Sequence, residues 1–143
     1  MAKVQVKMPE EFLLKLSKLG DKTDEIIPKV LESGGEIVLE KVRSNLQAVV
    51  GSGTKEKSRS TGELISSLGL SPAKVDRNGN FNVTIGFKEP RRNGESNAKI
   101  ANIIEYGKSG QPPKPFLKPA RSASRKACID AMKKRFEQEV ENL

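Results

Sequence analysis

The chain is 143 residues long, enough for one domain, or for one domain with residues 1–22 as an N-terminal arm or short helix. Its hydrophobic fraction is 35%, its charged fraction 31% and its formal net charge +8, with no tryptophan or histidine and a single cysteine, Cys128. One cysteine excludes an internal disulfide and a multi-cysteine metal site, and the missing histidine removes the commonest general base and metal ligand.

A core built from this composition is small and aliphatic, and much of the chain is left for solvent or a partner surface. The positive balance suits solubility, nucleic acid, an anionic surface or an acidic protein. No window approaches the roughly 20 apolar residues of a membrane span, and the N-terminus has no signal-like apolar run. A reducing cytosol is the expected site of synthesis or assembly.

Residues 1–7 alternate Val4 and Val6 with polar neighbours and read as a short strand or a frayed arm. Pro9 and the acidic pair Glu10-Glu11 open a short helix with Phe12, Leu13, Leu16 and Leu19 on its apolar stripe, ended by Gly20. Thr23 caps a second, long helix whose apolar positions are Ile26, Ile27, Val30, Leu31, Ile37, Val38, Val42, Leu46 and Val49. Pro28 falls early enough in it to be tolerated. Gly34-Gly35 falls inside, where each glycine costs up to about 1 kcal/mol against alanine, so the pair marks a close contact or a kink.

Residues 51–60, GSGTKEKSRS, carry no apolar side chain and read as a mobile loop, with Lys55, Lys57 and Arg59 as candidate partner contacts. Ser60 or Thr61 caps a short helical turn. Two strands follow, Leu68–Val75 and Phe81–Phe87, joined by Asp76-Arg77-Asn78-Gly79-Asn80, whose Asn-Gly pair is a hairpin signal. Phe81, Val83, Ile85 and Phe87 form the buried face of the second strand. A second basic loop, residues 88–95, places Arg91 and Arg92 beside Lys55, Lys57 and Arg59 as candidate contacts.

Ser96 or Asn97 starts a short helix through Ala98, Ile100 and Ala101. Ile103, Ile104 and Tyr106 read as a strand-like end, followed by a stiff turn-rich linker to Pro115. Phe116-Leu117 then anchors the start of a last helix, from Pro119 to about Glu141, with Ala120, Ala127, Cys128, Ala131, Met132, Phe136 and Val140 at helical spacing. Its basic residues Arg121, Arg125, Lys126, Lys133, Lys134 and Arg135 suit duplex DNA or a solvated face. Glu137, Glu139 and Glu141 read as a solvated helix end. No phosphate-cradling loop and no nucleophile–base pair occurs, so no catalysis, cofactor or metal is expected.

Two islands carry a resemblance: Ser60-Thr61-Gly62-Glu63-Leu64-Ile65-Ser66-Ser67-Leu68, and Ile104-Glu105-Tyr106-Gly107 with Pro115-Phe116-Leu117-Lys118-Pro119-Ala120. In this order, after a long helix and on either side of a hairpin, they resemble the neck and tail-component proteins of long-tailed, lambdoid-type bacteriophages. The chain departs from that pattern in having the basic GSGTKEKSRS loop where many relatives place a proline, and in the residues 88–95 insertion. The resemblance implies an α+β fold, with a long N-terminal and a C-terminal helix packed on a small antiparallel sheet containing a hairpin. It marks Thr61, Gly62, Leu64, Glu105, Tyr106, Gly107, Pro115, Phe116, Leu117 and Pro119 as motif or core positions. It also implies a homo-oligomeric ring in the virion, assembled in the host cytoplasm. The implied partners are head connector or adaptor proteins and tail tube or terminator proteins; the positive charge leaves room for non-specific contact with packaged DNA, and no membrane contact is expected.

Overall fold

A computed structural model of the chain describes residues 3–9, 20–49, 61–89 and 96–141. The predicted helix after Pro9, the loop at residues 51–60 and the residues 90–95 containing Arg91 and Arg92 lie outside those described.

The fold is α+β: two long helices packed on a small antiparallel sheet. The central strand is β4 (Phe81–Phe87), which β1 (Val4–Lys7) flanks on one edge in the register Val4↔Ile85 to Lys7↔Asn82. Residues 4–7 are therefore a strand, with Val4 and Val6 turned into the core. On the other edge lie β2 (Leu68–Leu70) and β3 (Lys74–Val75). The expected single strand is thus split. Between Leu70↔Ile85 and Lys74↔Asn82 one strand advances four residues while β4 advances three, which is the geometry of a bulge. Pro72, which cannot donate to a ladder, sits in it, and the Ser71 hydroxyl accepts from the Thr84 N–H at 2.9 Å in place of a carbonyl. The turn forms as expected: the Asp76 carboxylate accepts from the N–H groups of Asn78 and Asn80.

Helix α1 (Thr23–Val49) is the middle layer, between the sheet and the last helix, α4 (Leu117–Glu141). The glycine pair makes this possible. A Cβ on Gly34 would stand 2.7 Å from Met132 Cγ and 3.0 Å from Cys128 Sγ on α4, and one on Gly35 would stand 2.8 Å from Leu70 Cδ1 on the sheet side. The pair is a double close contact, one glycine for each neighbouring layer. Ile37, expected in the apolar stripe, is 38% exposed, since one residue beside Val38 turns it about 100° around the helix.

Helix α4 begins at Leu117, two residues before the predicted start. Leu117, Ala120, Ser124, Cys128, Met132 and Phe136 form a narrow buried stripe, whereas Ala127 is exposed and Val140 is 36% exposed. Glu139 does not belong to a solvated end. It accepts from Arg135 Nε at 2.9 Å and pairs with Lys29 Nζ of α1 at 3.4 Å, tying the far end of α4 to the middle layer.

Candidate functional site

The residues of the second motif island come together where α3 (Asn97–Tyr106) hands over to α4. The expected strand at Ile103–Tyr106 is a helix instead. Isoleucine favours strands only weakly, and here the helix start is held from two directions. Ser96 accepts from the Lys99 N–H, and the Glu89 carboxylate accepts from the Ala98 N–H and the Ser96 hydroxyl. The Ala98 N–H foremost, with the Ser96 hydroxyl and the Asn97 N–H, holds the Glu89 carboxyl below its ordinary range. The inward face of α3 is Asn97, Ala101 and Glu105, at successive i+4 positions.

Glu105 is 3% exposed and points at the start of α4. Its Oε2 accepts from the Phe116 and Leu117 N–H groups at 2.7 and 2.8 Å, and its Oε1 from the Lys118 N–H at 3.0 Å. A helix leaves its first four N–H groups without intrahelical partners. Phe116 has no side-chain acceptor with which to cap them, so the carboxylate from another helix takes the first three, and Pro119 supplies no fourth donor. The accounting is complete, and the negative charge lies where the helix dipole favours it.

The linker is shaped to deliver that chain end. The Gly107 N–H bonds the Ile103 carbonyl, the Lys114 N–H bonds the Ile104 carbonyl, and Lys108 and Gln111 exchange backbone hydrogen bonds across the turn. Gly107 has φ +78°, and a Cβ there would stand 2.8 Å from the Gln111 carbonyl oxygen and 2.9 Å from the Pro113 nitrogen, so only glycine fits. The Phe116 ring is fully buried and meets Phe87 of the sheet edge-on, with centroids 6.4 Å apart. Its carbonyl accepts from Asn45 Nδ2 of α1 at 3.3 Å.

Of the other motif positions, Leu117 and Leu64 are buried, the latter in α2 (Thr61–Ser67), while Pro115 and Pro119 are exposed. Thr61 and Gly62 are the first two residues of α2. Tyr106 is 70% exposed and takes no part in the core: as the last residue of a helix, not of a strand, it is turned outward beside buried Glu105. Lys55, Lys57, Arg59, Arg91 and Arg92 lie outside the described residues. Reasoning from the sequence missed the capping roles of Glu105 and Glu89. The signal available for Glu105 was a lone carboxylate in an otherwise apolar segment ahead of a helix start that lacks its own cap.

Cys128 is buried against α1, and burial pushes its thiol up. Among the described residues no cluster of three or more His, Cys, Asp or Glu side chains is placed to hold a metal ion, and no helix is long and apolar enough to cross a membrane. The three hydrogen bonds from the backbone of residues 116–118 to Glu105 make the site an architectural joint, which sets the direction in which α4 leaves α3.

Residues 10–107 match the family model described as "Bacteriophage HK97-gp10, putative tail-component". The chain belongs to this phage tail-component family. The match takes in the first motif island and Glu105 to Gly107 but stops before Pro115. Nothing among curated proteins or among solved structures matched the chain. Family membership makes this a structural protein of the virion type, working among other virion proteins.

Proposed function

We propose that this tail-component protein is a head–tail joining or tail completion subunit. It works as a homo-oligomeric ring between head connector or adaptor proteins and tail tube or terminator proteins. The observation that carries the reading is the family match over residues 10–107, to which the fixed α3–α4 joint adds a rigid building block. A subunit of this kind acts by burying surface against its neighbours, a typical specific interface hiding about 1,600 Å². It requires no cofactor and no catalytic residue. The positive face of α4 turns toward packaged DNA in this reading, and the basic segments around Lys55–Arg59 and Arg91-Arg92 are the partner contacts.

A second reading is a basic, non-catalytic duplex DNA-binding protein, favoured by the exposed Arg121, Arg125, Lys126, Lys133 and Lys134 on α4. Deleting the gene from the phage or prophage separates the two. In the first reading, micrographs show filled heads and unjoined tails, rescued by the intact gene and not by one lacking residues 55–59. Normal particles without the gene product, together with a steep salt dependence of duplex binding by the purified protein, sink the first reading in favour of the second.

A further inference from the structure

We infer that the groove between β1 and the first half of α4 is a docking site for an extended acidic segment of another protein, which adds a strand to β1. The groove is about 720 Å³ and runs along the whole of Lys3–Lys7, with Arg121, Arg125 and Ile129 of α4 opposite and Val38 of α1 at its base. Residues of both parities line it, inward Val4 and Val6 as well as outward Gln5 and Lys7. It is therefore the edge of the strand, not one face, that opens onto the groove. Among the described residues no strand pairs with that edge, because β4 takes only the other.

Four cations border the groove, Lys3, Lys7, Arg121 and Arg125, with no carboxylate among its lining residues. None of the four pairs with a carboxylate among the described residues. An open edge offers backbone donors and acceptors, the apolar base takes alternate side chains, and the cationic rim selects Asp and Glu at the intervening positions. Duplex DNA satisfies the rim but can use neither the strand edge nor the apolar base. The inference goes beyond the joining role and does not depend on which junction the protein occupies.

The test is fluorescence anisotropy with the full chain and a labelled peptide of about eight residues alternating valine and glutamate, long enough to span β1. Expected are saturable binding that weakens with salt, about a tenfold loss on Arg121→Glu with Arg125→Glu, and loss with a peptide of equal charge carrying proline at alternate positions. Both arginines are exposed, and an unchanged circular dichroism melt confirms that the variant folds. No binding of the valine–glutamate peptide, or equal binding of the proline peptide, overturns the inference. So does arginine-dependent binding of a short duplex DNA without binding of the peptide. Self-association of the protein that the double substitution abolishes also overturns it, by making a second copy the occupant. None of these failures bears on the gene-deletion phenotype, so the joining role stands or falls separately.

Discussion

Glu105 and Phe116 are eleven positions apart in the chain, yet a carboxylate oxygen of the first lies 2.7 Å from the backbone nitrogen of the second. The same side chain reaches the next two nitrogens as well. Replacing it with alanine leaves three buried or half-buried N–H groups without an acceptor, each costing about 1–3 kcal/mol when fully buried. Partial access of water at Lys118 brings the expected loss for Glu105→Ala to about 3 kcal/mol in urea unfolding. Glu105→Gln keeps one acceptor oxygen and turns an amide donor toward the remaining N–H, so it falls between wild type and alanine. Equal stability of all three proteins contradicts the cap.

Phe116 is the side chain that this cap seats. Its ring is fully enclosed between the sheet and the helices, so Phe116→Ala removes its transfer energy and leaves a cavity, a loss of about 3–5 kcal/mol. A melting curve that does not move excludes Phe116 from the core.

Gly34 gives a prediction whose size depends on a neighbour. Alanine improves helix propensity by up to about 1 kcal/mol, but its Cβ meets Met132 Cγ at 2.7 Å, and overpacking of this kind costs about 1–3 kcal/mol. Gly34→Ala is therefore expected to destabilise. In a Met132→Ala background the nearer obstacle is gone and only Cys128 Sγ, 3.0 Å away, still crowds the new Cβ, so the same change is expected to cost less than in wild type. A double-mutant cycle measures the coupling; additivity contradicts the close contact.

Glu89 carries an acid dependence. Its carboxyl is held below the ordinary value of 4.5 in the folded protein, chiefly by the Ala98 N–H. Its contribution is then complete above the unfolded value and is lost as pH falls through the folded one. Stability measured from pH 6 down to about pH 3 should fall less steeply in Glu89→Gln than in wild type. Parallel curves show that the cap of α3 does not depend on the charge.

Cys128 lies inside the α1–α4 contact, and burial raises its thiol above the ordinary value. Only thiolate reacts readily with disulfide reagents. Labelling at neutral pH is therefore expected to be slow in the native protein and rapid in denaturant; fast native labelling opens the α1–α4 contact.

Features written locally were legible in the sequence. The long helix from Thr23 declares itself through its 3.6-residue period, and the hairpin through Asn78-Gly79 beside the Asp76 cap. The last helix was misplaced by two residues, because Pro119 is a first-turn proline and the cap belongs to another helix. Ile103 to Tyr106 resembles a strand in the sequence because two isoleucines outweigh a helix start whose decisive acceptor, Glu89, lies outside the segment. Glu105 joined the motif by resemblance, but its task depends on donors eleven to thirteen residues later, which no periodicity reveals. The pairing of β1 with β4 bridges even more of the chain.

Helix beginnings are ready-made seats for phosphate, since their bare amides point outward. The most basic of the described helices has no such seat: Glu105 has filled it, and Pro119 leaves nothing spare. Any polyanion that meets α4 must be held by the arginines and lysines along its flank, a grip that slides and follows ionic strength. In the joining role proposed above, DNA travelling past the subunit would meet no fixed point at which its backbone can lodge.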